Sequence, residues 1–354
     1  MSPLSTASVE GVCTNSSGWQ ARGAGPSCTF VGAQPAWRQD RPAGSAILVA
    51  GCARHLAGRL SNVTIPMLST LHISLGSNSA VYVFDDDPLD QQRNVLQAWA
   101  ARSSFVRLIL TNEPTGDDRI QRLALCRNIL VQEARKHVPD DGVFLMLDLD
   151  CRFPRVTGVE WQTSWLRLLH GVNSTSTFGV LASSNPGAYR DMWALRSTHL
   201  GMSYDCFWDF DQMKQRGNCK AYRLHVHPSL SPFDIEAGFD GAAAYSAAAL
   251  RRAADCQHSN QSDGHVVSEH VPFQQCVRGR GVRVGLAPWF FASCAGWKTK
   301  ERSKRLFLLP NGTLALAGYS SRDEKEFRSR AKNELGAAAW APWGTSPSRM
   351  RGWY

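Results

Sequence analysis

Short, unbroken apolar runs separated by longer stretches of helical periodicity organise the middle of this chain. Residues 46–50 (Ala-Ile-Leu-Val-Ala), 80–84 (Ala-Val-Tyr-Val-Phe), 106–110 and 143–150 (Val-Phe-Leu-Met-Leu-Asp-Leu-Asp) read as strands covered on both faces. Between them, 54–60 with 65–75, then 91–102 and 117–136 read as helices. In 117–136, Ile120, Leu123, Ala124, Ile129, Leu130 and Ala134 recur at roughly helical spacing, while Arg119, Arg122, Arg127 and Asn128 take the other faces. This alternation predicts crossover βαβ units and a parallel sheet. Further on, the pattern gives a helix over 161–169, a strand over 179–183 and a short element at 191–195. A turn-rich, aromatic stretch covers 203–231, 235–250 leads into an alanine-rich helix, and a late strand spans 282–287.

The ends show no such order. Residues 1–43 are rich in Gly, Ser, Pro and Ala without periodicity and read as an irregular arm or linker. The expected organisation is that arm, a single α/β domain over 44–296 and a basic extension over 297–354. Within the domain, 44–152 would form one half and 153–296 the other. At 354 residues and 43% hydrophobic, the chain can bury a full core. A formal charge of +9 favours acidic ligands such as phosphates. The basic residues are scattered apart from a cluster at 298–305, with no zinc-finger or RNA-binding signature, so no nucleic-acid partner is expected.

Ten cysteines occur without Cys-x-x-Cys spacing, which argues against a structural zinc site. Cys52, Cys126 and Cys151 sit in apolar segments and read as buried thiols. Cys13 with Cys28, Cys206 with Cys219 and Cys256 with Cys276 lie in polar stretches where bridges can close loops. Asn15, Asn62, Asn173, Asn260 and Asn311 each open an Asn-x-Ser/Thr triplet, which leans toward a secretory or Golgi lumen. No apolar signal core or transmembrane-length segment accompanies them, so membrane association would need an anchor outside this chain, and the alternative is cytoplasmic.

The chemistry concentrates where strands end. Asp148 and Asp150, spaced i, i+2 on one strand, should point the same way and offer hard oxygen ligands to a divalent ion against a diphosphate. The carboxyl ends of such strands open onto the ligand crevice of an α/β sheet. Asp85 and Asp86 end another strand, and an acidic group there can accept hydrogen bonds from a nucleobase or ribose. Together the two acidic ends describe a nucleotide-sugar pocket.

Several segments, in this order, resemble the glycosyltransferases of the GT-A fold: the strand end at 82–90, the Arg-x-x-x-x-Arg-Asn helix segment at 122–128 and Leu-Asp-Leu-Asp at 147–150. Met-Trp-Ala-Leu-Arg at 192–196 with Tyr-Asp-Cys at 204–206, Gly-Phe-Asp-Gly-Ala-Ala-Ala-Tyr at 238–245 and Ser-Glu-His-Val-Pro-Phe at 268–273 extend the likeness over roughly 45–290. Pro88 and Leu89 depart from the small polar residues of that group, and Asp240 stands where Gly or Ala is usual.

The resemblance implies a Rossmann-like domain with a central, mostly parallel sheet flanked by helices. It implies transfer of a sugar, a hexose in the first instance, from a nucleoside-diphosphate sugar to a hydroxyl on a glycan or glycoprotein. Mn²⁺ or Mg²⁺ would be held by Asp148 and Asp150, with His270 completing the shell. Arg54, Arg122, Arg127, Asp85, Asp86 and Asp148 would contact the donor. Asp240, Glu236 and Glu269 are the candidate bases, Asp240 first and Glu269 next, while Trp193, Tyr204, Phe207 and Trp208 are candidates to stack on a sugar. Two alternatives stay open. One is a haloacid-dehalogenase-like phosphotransferase with Asp148 as nucleophile, against which Arg152 stands where Thr or Val is expected. The other is a carbohydrate-binding relative without turnover.

Overall fold

Four parallel strands form the spine of the molecule: β3 (Ile47–Ala53), β4 (Ser79–Asp85), β5 (Val106–Thr111) and β6 (Val143–Asp148), side by side in the order β5-β4-β3-β6. They belong to a computed structural model that describes residues 9–12, 27–32, 34, 37, 46–87, 90–112, 118–152, 167–168, 171–172, 178–184, 189, 191–200, 202, 222–226, 230–262, 265–290, 293–294, 304–308 and 314–317. Outside the spine, β1 (Val9–Val12) and β2 (Ser27–Val31) extend one edge; β11 (Ala242–Ser246), β8 (Val180–Ala182), β14 (Val284–Leu286) and β10 (Phe233–Asp234) extend the other. Of these ten strands, β2, β10 and β11 run against the other seven, so the sheet is mixed and mostly parallel in direction.

Strand alternation sorts the apolar side chains into two cores. Ile47, Val49, Val81, Val83, Leu145 and Leu147 face α2 (Ile65–Leu75) and α3 (Asp90–Arg102), with the one-turn α1 (Ala57–Arg59) and the π-helical turn Leu60–Thr64 leading into α2. Leu48, Ala50, Tyr82, Phe84, Phe144 and Met146 face α4 (Arg119–His137), α5 (Ala247–Arg252) and α6 (His270–Gly279). A sheet buried on both faces explains why its strands read as continuous apolar runs. Among the described residues no helix is long and apolar enough to cross a membrane.

Smaller sheets decorate this frame. The pair β7 (Cys151–Arg152) and β15 (Ser293–Cys294) lies just past β6, and β12 (Gln261–Ser262) with β13 (His265–Val266) forms a hairpin. In a third sheet, β16 (Lys304–Leu308) pairs with β17 (Leu314–Ala317) and with β9 (Tyr222–Val226).

Several expectations change. The stretch read as an irregular arm contains β1 and β2, whose pairing with β5 is supplied by the sheet edge and not by any local pattern. The basic extension contributes β16 and β17. The alanine run expected to lead into a helix is itself β11, held between β6 and β8; the helix starts after it, where the Ser246 hydroxyl accepts from the Ala249 amide at 3.1 Å. Tertiary pairing overrides alanine's helical preference there. The reading of Cys52 and Cys126 as thiols is wrong: they form a disulfide. Cys151 and Cys28 are disulfide-bonded as well, and Cys256–Cys276 is bridged as expected. Cys13, Cys206 and Cys219, and the helix read over 161–169 apart from 167–168, lie outside the described residues.

Candidate active site at the carboxyl edge of the sheet

Register places the two acidic strand ends one residue out of step at the same edge. Ala53 lies opposite Asp85 and Cys52 opposite Asp148, so β3 separates Asp85 from Asp148 by a single strand. Gly51 lets this edge close: a Cβ there would stand 2.6 Å from the Leu147 carbonyl oxygen and from the Leu149 side chain.

At the β4 end the carboxylates are absorbed by the scaffold. Asp85 is fully buried and accepts from the Gln92 amide at 2.7 Å and the Asp87 N–H at 3.2 Å, with Arg93 Nε at 3.6 Å. Burial pushes its carboxyl up to about 6, against the pull of those donors. Asp86 receives Arg54 at 2.8 Å, and buried Asp87 accepts from the His55 N–H at 2.8 Å. These bonds fix the 53–56 turn that follows β3, where His55 has a left-handed φ of 54°.

The β6 end is more open. The strand stops at Asp148, and Asp150 sits in the turn beyond it, so strand alternation does not align the pair; the turn brings them together instead. Asp148 is one-third exposed and Asp150 exposed, and their oxygens lie within 4.8 Å of each other and of Cys151 Sγ. Cys151 is disulfide-bonded and so is no thiolate ligand. Two carboxylates at that spacing, one reaching solvent, fit a hard divalent cation. The Thr64 hydroxyl donates to the Leu149 carbonyl at 3.2 Å and steadies the turn.

Arg127 ties this end to the core. It is 3% exposed, donates to Asp148 Oδ1 at 2.6 Å, pairs with Glu269 and lies 4.8 Å over the Phe239 ring. Burial lifts the Asp148 carboxyl to about 6 despite Arg127, and the charges of Asp150 and Asp191 add to the lift. Glu269 is the residue just before α6, and His270, which opens the helix, stacks on Phe239 at 3.7 Å. His270 and His258 are buried, and among the described residues neither ring nitrogen of either has a hydrogen-bond partner. Burial, then Arg127, holds both imidazoles well below the usual range, so they are neutral. His270 does not fall within the ion-sized group formed by Asp148 and Asp150. Arg122, five residues before Arg127, is turned about 140° around α4 from it; the helix does not bring the two to one face.

Asp240 occupies a strained turn. Its φ is +43° and that of Gly241 +93°, a region Asp tolerates better than most residues. The turn is held on every side: Gln274 brackets Gly238 through its N–H and carbonyl (2.8 and 2.9 Å), the Tyr189 hydroxyl accepts from the Phe239 N–H at 2.8 Å, and the Ser183 hydroxyl donates to the Phe239 carbonyl. The Asp148 N–H donates to the Gly241 carbonyl at 2.9 Å, which sets the turn against β6. Buried Asp240 accepts from the Asp191 N–H at 3.2 Å. Glu236 is occupied elsewhere, accepting from the Thr198 N–H and hydroxyl at 2.8 and 3.0 Å. Trp193 packs half-buried against the core; Pro88, Leu89, Tyr204, Phe207 and Trp208 lie outside the described residues.

Sequence reasoning missed Asp191, Tyr189 and Gln274. Asp191 is half-buried, and burial raises its carboxyl against the pull of the Ala194 N–H, Arg127, Arg119 and Arg196. Its signal was its place directly before the Met-Trp-Ala-Leu-Arg segment; Gln274 and Tyr189 carried none.

No family model matches the chain, and no curated protein matches it. Similar solved structures include the mannosyltransferase PcManGT from Pyrobaculum calidifontis in complex with GDP-Man and Mn²⁺, at 12% identity over 74% of this chain and 61% of that one, TM-score 0.41. S. aureus TarS 1-349 is similar at 13% identity over 70% of this chain and 59% of its own, TM-score 0.38. Mouse xyloside xylosyltransferase 1 in its apo form is similar at 11% over 69% and 78%, TM-score 0.27. The chain thus spans about three fifths of the first two, and likeness of this degree assigns no chemistry to its residues.

Proposed function

We propose that this chain is a metal-dependent glycosyltransferase of GT-A type that moves a sugar, a hexose in the first instance, from a nucleoside-diphosphate sugar to a hydroxyl on a glycan or glycoprotein. One observation carries the reading: a buried arginine, Arg127, is held between Asp148 and Glu269 at an open sheet edge, and Asp148 lies within 4.8 Å of the exposed carboxylate of Asp150. A buried ionic cluster of this kind is costly to desolvate, and such arrangements gather where charge is handled.

In this reading Asp148 and Asp150 hold Mn²⁺ or Mg²⁺. When bound, the cation neutralises charge on the departing nucleoside diphosphate. Arg127 fixes one oxygen of Asp148 and leaves the other for the ion. Arg54, partly exposed and paired with Asp86, lies at the neighbouring strand end, where a base and ribose would rest. Bridges at Cys52–Cys126 and Cys256–Cys276 support folding in an oxidising compartment such as the secretory lumen, although the Asn260 amide is buried and donates to Asp118 at 3.1 Å, so that triplet is not an open glycan acceptor.

A thermal-shift screen of GDP- and UDP-sugars, with and without Mn²⁺ and beginning with GDP-mannose, tests this. The expected result is stabilisation by roughly 5 °C at a hundredfold excess over Kd, present only when both metal and nucleotide sugar are added. Stabilisation by none of them, or phosphate release from a generic aryl phosphate, defeats the proposal. Binding without slow donor hydrolysis would identify a relative lacking turnover.

A further inference from the structure

Resting on the transferase reading, we propose that Asp191, rather than Asp240 or Glu269, is the carboxylate that receives the proton of the acceptor hydroxyl. The other two are committed. Glu269 is 3% exposed and paired with Arg127; Asp240 is 1% exposed and spends Oδ1 on the Asp191 N–H. Asp191 is half-buried, its Oδ1 accepts from the Ala194 N–H at 3.3 Å, and no described residue donates to its Oδ2.

The loop that carries Asp191 is pinned. Its own N–H is bound to Asp240, the Ala194 N–H also reaches the Asp191 carbonyl at 3.0 Å, and the Arg196 N–H meets the Ala237 carbonyl at 2.9 Å. The Arg196 guanidinium donates to the carbonyls of Trp193 and Leu195 at 2.8 and 2.9 Å. The Asp191 N–H is bound to Asp240, and the carbonyl of the next residue, Gly241, accepts from the Asp148 N–H at 2.9 Å, which places Asp191 at the same edge, yet Asp191 is not part of the ion-sized group of Asp148 and Asp150. A preorganised carboxylate with one free oxygen, beside the metal pair and outside its shell, stands where an acceptor must approach the donor.

The step balances without further reagents. A lone pair of the acceptor oxygen bonds to C1 of the donor sugar, the C1–O bond to the diphosphate breaks with its electrons leaving on phosphate oxygen, and the hydroxyl proton passes to Asp191 Oδ2. The anomeric centre is inverted. Asp240 acts through Asp191 as a positioning residue.

The test uses the full chain with Mn²⁺ and GDP-mannose, or whichever nucleotide sugar gives the thermal shift, and reads donor hydrolysis, with water as acceptor. Asp191→Asn keeps an amide oxygen for the Ala194 N–H and so preserves the turn, but it cannot take a proton. It should bind Mn²⁺ and donor as the wild type does while kcat falls about 10²- to 10⁴-fold, and the wild type should first release the inverted anomer by NMR. Asp240→Asn, which keeps the acceptor oxygen and tolerates the left-handed φ of 43°, should lose less than about tenfold, and Asp240→Ala should lose more and lower Tm as well. The inference is overturned if Asp191→Asn stays within about threefold of wild type, if it weakens Mn²⁺ binding, if Asp240→Asn falls as far as Asp191→Asn, or if the anomer is retained. If the wild type neither binds nor hydrolyses any nucleotide sugar, the transferase reading itself fails and takes this inference with it.

Discussion

The two acidic strand ends look alike in sequence and are put to different use. At the end of β4, Asp85 and Asp87 are fully buried and every carboxylate is engaged by a neighbouring donor, so this end shapes the turn after β3. At the end of β6, Asp148 is one-third exposed, Asp150 is exposed, and the buried Arg127 holds Asp148 in place. Composition alone does not separate structural carboxylates from ligand-facing ones; what separates them is how many donors the fold has already aimed at each.

The strongest way to break the comparison is to remove the organiser. Arg127→Met should cost roughly 3–5 kcal/mol in urea denaturation, because Glu269 is left buried and uncompensated. A cost below about 1 kcal/mol would place Arg127 with ordinary surface ion pairs. Next, Asp150→Ala should lower turnover about 10²- to 10³-fold, the several kcal/mol a bound cation supplies, while stability stays within about 0.5 kcal/mol because the residue is exposed. A stability loss with unchanged turnover would give Asp150 the duty assigned here to Asp85.

The smallest effect concerns Asp85 itself. Its folded carboxyl titrates near 6 and its unfolded one near 3.8, so between those values the native state keeps a proton that the unfolded state has lost. Stability therefore falls as pH rises through that window, and the penalty persists above it. Asp85→Asn removes the penalty: relative to wild type it should gain about 1–3 kcal/mol on going from pH 3.5 to pH 7.5, measured by denaturation midpoints. A flat difference across that range would mean Asp85 is not desolvated as described.

How far the chain could be read in advance follows from where each signal originates. The strands β3 to β6 and the helix α4 were legible because burial on both faces writes continuous apolar runs and burial on one face writes helical spacing. Asp85, Asp148 and Arg127 were legible because they sit at the ends of those runs or on that helix. What stayed hidden depends on distant partners. β11 is alanine-rich and strand-forming only because β6 and β8 flank it, and β1 and β2 need the β5 edge. Cys52 and Cys126 look like core thiols until the fold brings two residues 74 positions apart within bonding reach. Asp191 is one acid among many until Asp240, in its left-handed turn, takes hold of its backbone.

The Cys52–Cys126 bridge links the strand residue opposite Asp148 to the helical residue just before Arg127. The guanidinium is thereby stapled to the floor on which it works, and the host chosen for producing this protein becomes part of its chemistry. Material made in a reducing cytosol, or handled in strong thiol reagents, has lost that staple; an inert preparation of that kind says nothing about the native protein until the bridge has been restored.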